Sequence, residues 1–275
     1  MGTSEGTSEL LQPKIISMEV DDEDSYESEY RLQIGTQVKY LVINPGTYDR
    51  DTLSFPLTDL PPLQYDGNWT VAHISRSSSG TLRTSFSTRK LASIKDLWHP
   101  TTIDYFDLVK TEQLTAAAYE AVPSPAQAPT LGTFPIIAKI ARFEWEIPRL
   151  EQETRIYRLL SSSGLTPRFL AHIREGDRVI GFVLEKLAGR AAGVGDLGAC
   201  REVLGRLHGM GVVHGDVNRF NFLVAERGGV KIIDFERAEE GAGEERKRGE
   251  MEGLGGELGD GEGRGGGFMF CGDDV

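Results

Sequence analysis

At 275 residues the chain is long enough for one or two domains with a sizeable core. Its 39% hydrophobic and 26% charged residues are ordinary for a soluble globular protein. A formal charge of −12 and a pI near 5.0 argue against general nucleic-acid binding, which needs a basic face to neutralise phosphates, and against docking on anionic membranes, although a local basic pocket is compatible with that total. Cys200 and Cys271 have no metal-ligand spacing and make no disulfide scaffold. The first residues lack a basic n-region and an apolar h-region, and no apolar run approaches the roughly 20 residues needed to span a bilayer. The expected location is therefore cytoplasmic or nuclear, not secreted, and the sequon Asn68-Trp69-Thr70 is expected to be a chance match.

Residues 1–30 read as a disordered acidic arm, because the run from Glu19 to Glu29 repels itself and has little to bury. Residues 31–102 read as a β-rich module. It contains β-prone runs at Tyr30–Ile34 and Val38–Ile43, a turn at Asn44-Pro45-Gly46, and a hairpin from Trp69–Ile74 and Thr81–Phe86 around Ser77–Gly80. Pro56, Pro61 and Pro62 exclude a helix between the two pairs. No residue set in this module suggests chemistry; a protein partner is its expected use.

From about Ile103 the pattern changes. Thr133–Ile140 is a strand with Lys139 set among apolar neighbours, and Ile147, Leu150, Thr154 and Tyr157 recur at helical spacing up to Leu160. Gly164 and Pro167 follow that helix, Val179–Leu184 reads as a buried strand, and residues 197–209 as an amphipathic helix. Val230–Phe235 is a last apolar strand. From Gly241 to Val275 there are 13 glycines in 35 residues, so this tail is expected to be mostly disordered, with one short helix from Glu245 to Leu258 around Met251, Leu254 and Leu258.

The strongest signal is His214-Gly215-Asp216, then Asn221 five residues after Asp216 and Asp234-Phe235-Glu236 thirteen after Asn221. Phosphoryl transfer needs a carboxylate to orient a hydroxyl and accept its proton, and a carboxylate and an amide to hold Mg²⁺, a hard cation that prefers oxygen ligands. On these residues the sequence resembles the protein-kinase superfamily, and more closely its aminoglycoside-phosphotransferase and lipopolysaccharide-kinase-like branch, over roughly residues 103–240. It is also similar to a group of fungal kinase-like proteins with Ala-Lys-Ile-Ala-Arg-Phe and His-Gly-Asp-Val-Asn-Arg-Phe-Asn stretches. Some of those carry an α-galactosidase label, but nothing in this sequence supports glycoside hydrolysis, for which neither a βα repeat nor a carboxylate pair can be picked out.

The resemblance implies an α+β fold: a protein-kinase-like two-lobed domain at 103–240 with a minimal C-terminal lobe, preceded by the β-rich module at 31–102 and followed by the tail at 241–275. It implies ATP and Mg²⁺ as ligands and an unidentified hydroxyl acceptor, protein or small molecule. Asp216 would be the catalytic base, Asn221 and Asp234 the metal ligands, and Phe222–Val224 the strand after the catalytic loop. Lys139 would steady the ATP phosphates, with Glu153 as its ion-pair partner and Glu146 and Glu151 as alternatives. Glu185, Lys186 and Leu187 would form the hinge beside the adenine. His214 reads as a structural hydrogen-bonding residue, Asn218 as a loop residue and Arg237 as a surface charge. Two departures stand out. No Gly-x-Gly-x-x-Gly precedes Lys139, so residues 110–132 must supply any phosphate-covering turn, and only about 40 residues follow Asp234, the mark of a minimal lower lobe or an altered gene model. The expected function is an ATP- and Mg²⁺-dependent phosphotransferase; the alternative is an inactive pseudokinase serving as a binding or scaffold module.

Overall fold

A computed structural model of the chain describes residues 13–21, 23–54, 63–64 and 67–260. It divides into two compact units, one made of Met1–Ala92 with Arg142–Glu144 and the other of Ser93–Ala141 with Trp145–Val275.

The first unit is a five-stranded sheet in the order β1 (Lys14–Glu19), β2 (Ser28–Ile34), β3 (Gln37–Ile43), β4 (Val71–Arg76), β5 (Leu82–Ser87). All neighbours are antiparallel except β3 and β4, whose parallel pairing requires a crossover; the short helix α1 (Arg50–Ser54) lies in it. Tyr30, Leu32, Leu41, Ile43, Trp69 and Ile74 bury one face together with Leu53 of α1, and the Tyr30 hydroxyl donates to the Leu53 carbonyl at 2.8 Å. Tyr40, Val42 and Val71 cover the opposite face with Phe143. Pro56, Pro61 and Pro62 lie outside the described residues.

Two expectations are corrected here. The acidic arm is not featureless, because residues 14–19 form a strand and residues 28–30 begin the next. Ile15, Met18 and Val20, dispersed among charges, pack against the core, and the carboxylates serve the turn: Asp21 accepts the Tyr26 N–H at 3.1 Å and Asp24 the Gly46 N–H at 2.9 Å. The division between units falls after Ala92 rather than after residue 102. Ile94 already belongs to the second core, and its N–H donates to the Val179 carbonyl at 2.9 Å.

The second unit opens with β6 (Thr102–Asp104), β7 (Leu108–Gln113), β8 (Ala118–Pro123), the short helix α2 (Ala128–Leu131) and β9 (Ile136–Ile140), then α3 (Ile147–Leu160), β10 (Phe169–Glu175) and β11 (Arg178–Glu185). Its six-stranded sheet runs β6-β10-β11-β9-β8-β7. Helix α3 buries Ile147, Leu150, Thr154, Tyr157 and Leu160, the spacing that a 3.6-residue period places on one face. The Tyr157 ring lies 5.3 Å from Phe182 of β11 and 5.3 Å, edge-on, from Phe235. After β12 (Gly189–Ala191) and α4 (Leu197–Gly209) come β13 (Val212–Val213), β14 (Phe222–Ala225), β15 (Val230–Ile232) and β16 (Glu239–Glu240), and α5 (Glu244–Gly259) closes the described chain. Helix α4 buries Cys200, Val203, Leu204 and Leu207 and packs against α5, whose Leu254 and Leu258 are buried. The glycine-rich tail thus carries a helix within one residue at each end of the expected Glu245–Leu258; Leu254 and Leu258, one turn apart, supply an apolar contact that offsets the entropy its glycines cost. The protein is a mixed α+β structure, and no helix among the described residues is long and apolar enough to cross a membrane.

Candidate functional site

Lys139 stands near the end of β9, where β11 approaches closely. A Cβ on Gly181, which pairs with Ile140, would come within 2.1 Å of the Lys139 carbonyl, so glycine sets the separation of these strands. The Lys139 ammonium meets three carboxylates: Asp234 at 2.7 Å, Glu153 of α3 at 2.8 Å and Glu236 at 3.0 Å. Of the three glutamates in or beside α3, Glu153 is the partner. Glu146 lies 3.7 Å from Arg149, and Glu151 accepts the Lys95 N–H. The other oxygen of Glu153 accepts the Phe235 N–H at 3.2 Å, tying α3 to the segment after β15.

This crowd of charge perturbs Lys139, Glu153 and Asp234. Burial presses Lys139 toward its neutral form, but Glu153, Asp234 and Glu236 outweigh it and hold its pKa above the ordinary lysine range. Burial raises Glu153 to about 7 against the pull of Lys139, with Asp234 adding to the rise. Burial also acts upward on Asp234, but the charge and hydrogen bond of Lys139 prevail and its pKa lies below the usual value. Asp234 further has φ of 66°, in the left-handed region that side chains other than glycine seldom enter. Backbone strain of about 1–3 kcal/mol at one residue persists where the surroundings over-determine it, as they often do at functional sites.

The loop His214–Asn221 is held beside this cluster by its own polar groups. His214 is fully buried; its Nε2 donates to the Ile233 carbonyl at 2.9 Å and its Nδ1 accepts the Asp216 N–H at 3.3 Å. Burial lowers its pKa, so the neutral imidazole bridges Asp216 to the residue before Asp234, the structural role its sequence position suggested. The Asp216 carbonyl accepts Asn221 Nδ2 at 2.9 Å and Asn218 Nδ2 at 3.1 Å, and Asn218 Oδ1 caps the Phe220 and Asn221 N–H groups. With Nδ2 of Asn221 so engaged, its amide oxygen is the end left for a cation. The Asp216 carboxylate is partly exposed, with the outward-lying Arg237 guanidinium 3.7 Å away. Gly215, at φ of 77°, could not be replaced, since a Cβ would sit 2.0 Å from the Arg237 carbonyl.

One supporting residue was not legible beforehand. Glu250 of α5 accepts the Gly215 N–H at 2.6 Å, the His214 N–H at 3.1 Å and His208 Nε2 at 2.8 Å. Its pKa is lowered: burial acts upward, but the bonds from His208 and the two amides win. In the sequence it is one of several glutamates in the glycine-rich tail, 34 residues from Asp216, with nothing to single it out.

The remaining expected residues lie apart from the cluster. Glu185 pairs with Ile136, three residues along β9 from Lys139, or about 10 Å at the usual strand rise. Its carboxylate accepts the N–H and Nε of Arg168 at 2.9 and 2.7 Å, and Leu187 is half-buried just beyond. The turn between β7 and β8 lies by Lys139, because Ala118 pairs with it. This turn has no glycine; Thr115 Oγ1 accepts the Ala117 and Ala118 N–H groups instead.

Glu153, Asp234 and Glu236 each bring a carboxylate oxygen within 4.8 Å of the others. Three carboxylates against one ammonium leave a negative excess of oxygen donors, with Lys139 Nζ itself within 3.0 Å of each. Compared with protein-family models and with curated proteins, the chain finds no match in either.

Proposed function

We propose that the chain is an ATP- and Mg²⁺-dependent phosphotransferase acting on a hydroxyl acceptor, with a protein-kinase-like two-lobed domain. The observation that carries this reading is the convergence of Lys139, Glu153 and Asp234, from a strand, a helix and a loop far apart in sequence, beside the loop that holds Asp216 and Asn221. A lysine, its buried glutamate and an aspartate after a short strand are the parts phosphoryl transfer uses for positioning and charge neutralisation. The sheet supports it too: a hairpin precedes the lysine strand, the glutamate helix follows it, and the expected hinge lies beyond β11.

In this reading Asp216 orients the acceptor hydroxyl and takes its proton, while its backbone is fixed on both sides by His214 and Asn221. Lys139 holds phosphate oxygens, and Glu153 keeps the ammonium charged and aimed. Asp234 and Asn221 would hold Mg²⁺, which when bound supplies charge neutralisation at the phosphates. A second reading, an inactive pseudokinase, is favoured by one observation: all three donors of Lys139 already face carboxylates.

ADP formation from ATP with Mg²⁺ and candidate acceptors, for wild type and Asp216→Ala, tests the proposal. The expected result is turnover by wild type and none by the variant, with an ATP-dependent rise in melting temperature in both. A folded wild type whose melting temperature does not move in millimolar ATP would contradict it.

A further inference from the structure

Lys139 has three carboxylate neighbours within 3.0 Å, of which Asp234 accepts its hydrogen bond, so a phosphate approaching the ammonium meets crowded negative charge until one of them leaves. The three are not equally free to go. Glu153 is 1% exposed and also accepts the Phe235 N–H, so moving it would strand a buried charge. Asp234 is set by a left-handed backbone, in a loop tied to His214 through the carbonyl of Ile233. Glu236 is different. It follows Phe235, which is fully buried against Tyr157 and His214, so its backbone is anchored while its side chain reaches back to Lys139. One of its oxygens is 3.0 Å from Lys139; the other is 3.6 Å from Arg149 on α3, a half-exposed guanidinium. A cation to which the carboxylate can transfer is therefore already at hand.

Resting on the nucleotide reading of this site, we propose that Glu236 is a latch: it occupies the phosphate position on Lys139 in the closed state, and Mg²⁺-nucleotide binding moves it onto Arg149. A carboxylate and a phosphate oxygen compete for the same donor, so the latch sets the affinity for the nucleotide without taking part in the chemistry. It explains how Lys139 can be crowded by carboxylates in this structure and still serve a nucleotide. It also gives a reason for a glutamate two residues after Asp234.

The test is a calorimetric titration of the full chain with Mg²⁺-ATP in wild type, Glu236→Gln and Arg149→Met. Glu236→Gln keeps the shape and removes the charge, so the nucleotide should bind on the order of tenfold tighter, the scale of one charge-assisted bond. Arg149→Met removes the alternative partner and should weaken binding. Glu236→Asp, which shortens the reach by one methylene, should bind more tightly than wild type and serves if the glutamine variant does not fold. Unchanged or weaker binding in the Glu236 variants, with wild type binding, would overturn the latch and leave the nucleotide site standing. No binding by wild type or any folded variant would overturn the nucleotide reading and the latch with it.

Discussion

Each unit of the molecule carries a lysine on a strand with little exposure, and the two are held in opposite ways. Lys39 of β3 donates to the carbonyls of Trp69 and Gly67 and lies over the Trp69 ring at 5.2 Å; it has no ion pair among the described residues, and burial lowers its pKa. Lys139 of β9 faces three carboxylates and is held above the ordinary range. A buried ammonium satisfied by carbonyls is a packing element that closes a turn. An ammonium surrounded by more negative charge than it can neutralise is poised to exchange partners, and chemistry needs the second kind. The same residue type in the same kind of element thus separates a structural site from a candidate functional one by its partners alone.

Substitutions can sharpen that contrast. Lys139→Met should cost the most, about 3–5 kcal/mol by urea denaturation at pH 8, because Glu153 would be left buried without its counter-charge. An unchanged midpoint would mean that the cluster is not a coupled unit. His172 shows what a buried base does with no carboxylate in contact. It is fully buried on β10, accepts the His99 N–H, and burial, followed by the charge of His99, lowers its pKa to about 4. The unfolded chain takes up this proton near its ordinary value of 6.5 while the folded chain does not, so stability should be complete above that pH. It should fall by roughly 3 kcal/mol as pH drops from about 6.5 to about 4. His172→Gln should flatten that slope in denaturation curves across this range. Gly215→Ala should cost about 2 kcal/mol or more, since it combines a left-handed backbone with a clash at Arg237. Lys39→Met should be the mildest, within about 1 kcal/mol, because it trades hydrogen bonds to carbonyls for relief of a desolvated charge.

Local features were legible where a residue pattern determines them alone. The apolar spacing of α3 and α4 marked both helices nearly to their ends, whereas Lys139, Glu153 and Asp234 could be picked out as a set only through the resemblance to the kinase superfamily, with Glu146 and Glu151 as alternatives to Glu153. Features that depend on distant partners were not. The strand at Lys14–Glu19 is hidden because the acidic run that follows it, to Glu29, dominates the composition of this region, and only pairing with β2 gives Ile15 and Met18 a core to join. The turn beside Lys139 carries no sequence signal within residues 110–132, because a threonine hydroxyl, not glycine, closes it. Glu250 reads as one more acid in a glycine-rich tail until α5 packs on α4 and brings it under the Gly215 N–H. Glu236 was visible in the Asp234-Phe235-Glu236 run, but its contacts with Lys139 and Arg149 depend on how the chain turns after Phe235.

The central claim is that the cluster at Lys139, and not the buried lysine of the first unit, is a nucleotide site. Titrating Mg²⁺-ATP into wild type, Asp234→Ala and Lys39→Met tests it directly. The account predicts saturable binding by wild type and Lys39→Met and none by Asp234→Ala. Binding that survives in Asp234→Ala, or that is absent from all three folded proteins, would contradict it.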